Sequence, residues 1–92
     1  DYTEALKWYR KAADIGNSSA MTNIGSLYHD GKGVTQDYTE AMKWFRKAAD
    51  IGESSAMNWI GWLYEYGEGV KKDLAKAREW YQKAAKLGDT NA

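Results

Sequence analysis

The 92-residue chain contains no cysteine and no proline, and only one histidine. Without cysteine there is no disulfide framework, no thiolate zinc site and no cysteine nucleophile. Without proline nothing forces a helix to break, and nine glycines supply the punctuation instead. Excess charge is missing too, since 13 Lys and Arg offset 13 Asp and Glu. A balanced chain has no electrostatic footprint for a phosphate backbone or an anionic bilayer, so nucleic acid is not an expected partner. No apolar run approaches the ~20 residues of a membrane span, so membrane insertion is not expected either. A signal peptide pattern and an initiating Met are both missing, which points to a processed chain, a piece of something longer, or an engineered one.

What is present is a repeat. Asp1, Asp37 and Asp73 open copies of one pattern, and between residues 1–36 and 37–72 only 11 of 36 positions differ. Each copy holds two helical patterns. In the first, Tyr2, Ala5, Tyr9 and Ala12, flanked by Trp8 and Ala13, recur at three- and four-residue spacing and predict one apolar face. Asp1 with Glu4, and Asp37 with Glu40, read as capping-box starts; Asp73 keeps the cap but has Lys76 in the glutamate's place. Gly16, Gly52 and Gly88 stand where a left-handed residue ends a helix. Glu4/Lys7, Arg10/Asp14 and Lys11/Asp14 have the spacing of surface ion pairs.

The second pattern starts at Ser18 or Ser54, each read as an N-cap. Ala20, Ile24, Leu27 and Tyr28 form its buried stripe, repeated by Ala56, Ile60, Leu63 and Tyr64. Gly25 and Gly61 lie inside it. A mid-helix glycine costs roughly 1 kcal/mol, so its presence predicts a close approach by a neighbouring helix. Gly31-Lys32-Gly33-Val34 and Gly67-Glu68-Gly69-Val70 form the longer loops, with the valines as apolar pins. No strand precedes these glycines and no Gly-Lys-Ser/Thr follows, so a phosphate loop is not indicated. The expectation is an all-α fold of five helices, over 2–15, 18–30, 38–51, 54–66 and 74–87. Short links make them antiparallel hairpins that stack into a right-handed α-α superhelix, or solenoid, of 36-residue period.

Ala-x-x-x-Ile-Gly-x-Leu-Tyr-x-x-Gly-x-Gly-Val, followed by Asp-Tyr-x-x-Ala-x-x-Trp-Tyr/Phe-Arg-Lys-Ala-Ala-x-x-Gly, resembles the Sel1-like repeat, a relative of the tetratricopeptide repeat. The resemblance covers the whole chain as one repeat domain, 1–92. Residues 1–16 are the second helix of a partial repeat, 18–52 and 54–88 are repeats, and 89–92 match the start of another. Arg78 and Leu74 depart from Leu6/Met42 and from the tyrosine of the other copies, which predicts a less buried last helix. The resemblance implies an adaptor or scaffold that binds proteins, from bacterial cytoplasm or periplasm, with no enzymatic activity and no cofactor. It also implies that the first helix of each unit lines a concave groove.

The differences between copies of that helix fall at Thr22/Asn58, Asn23/Trp59, Ser26/Trp62, His29/Glu65 and Asp30/Tyr66. These positions trace one helix face, while the packed face is the same in both. Drift on a solvated face would collect small polar residues, yet Trp59, Trp62 and Tyr66 appear there, and exposed tryptophan is rare outside binding sites. Either they pack on the neighbouring repeat or they receive a ligand, and Trp62 and Tyr66 are the better ligand contacts because Ser26 and Asp30 are polar. The candidate groove is Thr22, Ser26, His29, Asn58, Trp59, Trp62, Glu65 and Tyr66, with Ser55 as a polar companion. Asn58 and Thr22 suit hydrogen bonding to an extended peptide. Carbohydrate stacked on Trp and Tyr is the alternative ligand, and self-association through the uncapped ends, where Tyr2, Leu6, Trp8 and Tyr9 lie, is the third reading. His29 with Asp30 is read as a solvated surface histidine rather than a catalytic or metal site, because there is no second histidine and adjacent helix positions do not face each other. The paired serines are capping residues, so catalytic and metal residues are both absent from the expectation.

Overall fold

The computed structural model describes residues 1–88. The expected beginning of a further repeat at 89–92 lies outside the described residues. Five helices follow in order: α1 (Tyr2–Asp14), α2 (Ser18–Asp30), α3 (Tyr38–Asp50), α4 (Ser54–Tyr66) and α5 (Leu74–Gly88). Each packs on its sequence neighbours, α2 on α3 and α4 on α5 most extensively, so the layers form a helical solenoid.

Helix starts follow the aspartates. Asp37 and Asp73 accept backbone N–H bonds from Glu40 and Lys76, each at 3.0 Å. Asp1 accepts instead from Thr3. The serines are not the caps expected of them. Asn17 caps α2 by accepting from the Ala20 N–H at 2.9 Å, and Glu53 occupies that place in α4 without a capping bond. Ser18 is thereby freed to bond across repeats, and its hydroxyl donates to Glu53 Oε1 at 2.6 Å. Gly16 and Gly52 take left-handed φ of 89° and 98°. Each is locked because the next residue's N–H reaches back to Ala12 or Ala48 at 3.1 Å. At Gly88 the helix α5 includes the glycine itself.

The core runs through the hairpins as Leu6, Ala13, Ile24, Leu27, Ala41, Met42, Phe45, Ala48, Ile60 and Leu63, with Val34 and Val70 packed against it. The apolar face of the odd-numbered helices is therefore rotated from its expected position. Leu6 and Met42 are buried inside it, while Tyr2 and Trp8 are exposed. Leu6 accordingly drops out of the open end. Arg78 and Leu74 are exposed, as their departures from the pattern predict. Among the described residues the expected pairs Glu4/Lys7, Arg10/Asp14 and Lys11/Asp14 are not formed, although Glu40 and Lys43, at the Glu4/Lys7 spacing one repeat on, lie 4.0 Å apart. Arg10 and Arg46 donate to the hydroxyls of Tyr28 and Tyr64 at 2.8 and 2.9 Å. Lys11 lies over the Trp8 ring and Lys47 over Trp44.

The mid-helix glycines do what the spacing predicts, with a ring as the neighbour. A Cβ on Gly25 would sit 2.5 Å from the Phe45 ring, and one on Gly61 would sit 2.7 Å from Tyr81. The aromatic of each second helix thus lies flat against the glycine of the first. Phe45, fully buried, is in turn covered on its other side by α4.

Candidate functional site

That cover is Trp59. Its ring stacks on Phe45 with centroids 5.0 Å apart and planes 9° from parallel. It also meets His29 at 5.0 Å, so one tryptophan bridges α2, α3 and α4. A half-buried stacked ring forms the floor of a cavity and is held rigidly by the core beneath it. The cavity measures about 470 Å³ and is lined by His29, Ser55, Asn58, Trp59 and Trp62. Four of these five are on the expected groove face, and Ser55 is the polar companion anticipated beside them.

Trp62 forms the far wall. It remains 45% exposed and leans on Tyr66, centroids 4.5 Å apart. Its indole N–H donates to Glu68 Oε1 at 3.2 Å, which fixes the ring's rotation. Tyr66 is exposed and supports Trp62 from outside the lining. Ser55, in the lining, donates its hydroxyl to Glu53 Oε2 at 2.9 Å.

His29 is held from both sides. Contrary to the expectation of a solvated ring out of reach of its neighbour, Nδ1 contacts Asp30 at 2.8 Å, and Nε2 contacts Glu68 at 2.9 Å. Two carboxylate acceptors are satisfied together only by the doubly protonated ring, since a neutral imidazole donates once. Partial burial pulls the His29 pKa down, but the hydrogen bonds and charges of Asp30 and Glu68 outweigh it and the net shift is upward. Tyr38 packs against the same ring at 5.1 Å. Its hydroxyl pKa is raised by partial burial and by the Glu68 and Asp30 charges.

Three expected groove residues lie elsewhere. Thr22 is buried, and its hydroxyl donates to the Ser18 carbonyl at 3.1 Å, so it has no free group for a peptide. The single helical turn between Ser18 and Thr22 makes that bond available, and burial selects it. Ser26 is half-buried outside the cavity lining. Glu65 faces a second cavity with Leu74, Ala77, Arg78 and Tyr81, where it accepts from the Tyr81 hydroxyl at 2.6 Å. Burial together with that bond and charge drives the Tyr81 pKa strongly upward.

The residue missed is Glu68. The sequence pattern places it in a loop, yet it joins His29 to Trp62. Its signal was available, because Lys32 stands at the matching place in the preceding copy. Among the described residues no group of His, Asp and Glu is arranged to hold a metal ion.

The family model described as Sel1 repeat matches residues 1–17, 18–53 and 54–89. Among solved structures, a Sel1 repeat protein from Oxalobacter formigenes superposes with a TM-score of 0.89 at 48% identity, over 97% of this chain and 36% of that one. A protective antigen present in uropathogenic Escherichia coli strains, displaying an SLR fold, gives 0.90 at 47% identity, over 97% and 19%. Cysteine rich protein B of Helicobacter pylori gives 0.88 at 23% identity over 99% and 68%, a likeness of fold alone. An uncharacterized protein of Neisseria meningitidis serogroup B is 51% identical over 35 residues, 38% of this chain and 8% of its own length. The chain thus spans well under half the length of the first two structural relatives.

Proposed function

Because this chain belongs to the Sel1 repeat family, whose repeats are commonly protein-interaction modules, we propose that it is a non-enzymatic binding module. It holds a peptide or protein segment in the groove between α2 and α4. The observation that carries this reading is Trp62, 45% exposed at the wall of the cavity. A large ring kept in water but fixed by Glu68 and Tyr66 is preorganised for contact, and preorganised tryptophans dominate binding energetics. Asn58 is exposed beside it and suits a backbone hydrogen bond.

Trp62→Ala should abolish capture of the partner, identified by affinity isolation and mass spectrometry, while thermal unfolding shifts little. Intact capture by the variant would remove the groove from consideration. Binding on a glycan array with quenching of tryptophan fluorescence, and no peptide capture, would transfer the site to carbohydrate.

A further inference from the structure

We infer that the groove between α2 and α4 recognises a basic peptide segment, with one arginine or lysine side chain seated between Trp59 and Trp62 and its cation paired with Glu68. The inference rests on the groove reading above and adds the chemistry of the ligand.

The first observation is how the charges are distributed. The chain is neutral overall, yet none of its 13 lysines and arginines lies on α2 or α4. Every helical lysine and arginine is on α1, α3 or α5. The acidic groups on and beside the groove helices are Asp30, Glu53 and Glu68, with Glu65 turned to the second cavity. Of the lysines in the following loops, Lys32 lies over the Tyr2 ring, and Lys71 and Lys72 line a separate depression with Tyr64 and Asp73. The groove therefore presents carboxylate without a competing cation other than His29. Such a surface steers and holds a positively charged partner.

The second observation is independent of the first. The three tryptophans outside the groove each carry a lysine three residues further along the same helix. Lys11 lies 4.7 Å from the Trp8 ring, Lys47 4.5 Å from Trp44, and Lys83 4.4 Å from Trp80. No such contact covers Trp59 or Trp62 among the described residues. One face of Trp59 is stacked on Phe45 and the ring also meets His29, and Trp62 leans on Tyr66, so a cation brought by the ligand would use the part of each ring that these neighbours leave uncovered.

The third is geometric. Glu68 grips both walls, His29 and Trp62, through one carboxylate oxygen, and its side chain stays 26% exposed. A guanidinium entering along the Trp62 face meets this carboxylate at the cavity edge. Aromatic walls with a terminal carboxylate match the apolar stem and charged head of arginine or lysine. An acidic segment would meet the Glu68 carboxylate there, and the one cation beside it, His29, is already held by Asp30 and Glu68.

The test is selection of a random short-peptide library displayed on phage against the 92-residue chain, with the Trp62→Ala variant as counter-selection. Peptides that depend on Trp62 should share an arginine or lysine. The tightest, made synthetically with a fluorophore, should lose about tenfold in affinity for Glu68→Gln. Replacing its basic residue by the neutral isostere citrulline or norleucine should cost a similar factor. The two losses should not add, because they remove one contact. Trp62-dependent peptides without a basic preference, or additive losses, would overturn the cation assignment and leave the groove reading standing. Absence of any Trp62-dependent peptide would overturn both.

Discussion

The hairpins α2–α3 and α4–α5 are close copies in sequence and differ in what lies on their outer face. In the first, Phe45 is covered by Trp59 and His29 stands beside it, held by Glu68. In the second, the matching residues are Tyr81 and Glu65, bonded to each other beside an open cavity. One ring position is sealed into the core by the next helix and the other keeps a hydroxyl. Phe45 carries no polar group and is buried under Trp59, whereas Tyr81 donates its hydroxyl to Glu65 and stays half-buried. His29 and Glu65 occupy equivalent turns, but only His29 borders the cavity that contains both groove tryptophans.

The comparison breaks most sharply at its centre. Phe45→Ala should destabilise by about 3–5 kcal/mol, lowering the melting temperature by more than ten degrees on the usual scale for a domain this small. Tyr81→Ala, with one side already open, should cost distinctly less, and equal losses in thermal melts would show that the two layers are packed alike. Gly25→Ala drives a methyl into the Phe45 ring. Overpacking of about 1–3 kcal/mol exceeds the roughly 1 kcal/mol of helix propensity gained, so urea unfolding should show a net loss; a gain would mean that the ring moves freely.

A smaller difference separates the two groove tryptophans. Trp59→Ala should cost about 2 kcal/mol, below the range for a fully buried ring, whereas Trp62→Ala should stay within about 0.5 kcal/mol, as exposed substitutions do. Comparable losses would make Trp62 a structural residue.

The smallest effect is on pH. The folded pKa of His29 lies above its ordinary 6.5, so protonation favours the folded state. That contribution is complete below about pH 6.5 and is lost as pH rises through the raised value. His29→Gln should flatten this part of the stability profile, and a profile unchanged in the variant would dismiss the Asp30–His29–Glu68 contacts as a source of stability.

Much of this was legible from residue patterns. Helix boundaries agree within a residue, because glycine, aspartate and apolar spacing act locally. The glycine at 25 and 61 announced a close neighbour without revealing that it was a ring. Thr22 was misplaced because helix phase alone cannot say how far one layer overlaps the next. Lysine pairing was misassigned because sequence spacing allows Lys11 to reach either Asp14 or Trp8, and only the side-chain direction selects the ring.

The amino-acid sequence by itself determined the repeat, its five helices, the shared spine of Ile24, Leu27, Ile60 and Leu63, and the face on which the copies diverge. These depend on contacts within a helix or between identical neighbours, which a periodic pattern specifies. Tertiary structure alone decided that Trp59 is a floor and Trp62 a wall, and that Glu68 joins His29 to Trp62. Those outcomes depend on where three successive layers meet, and that meeting is set by the stacking angle between repeats.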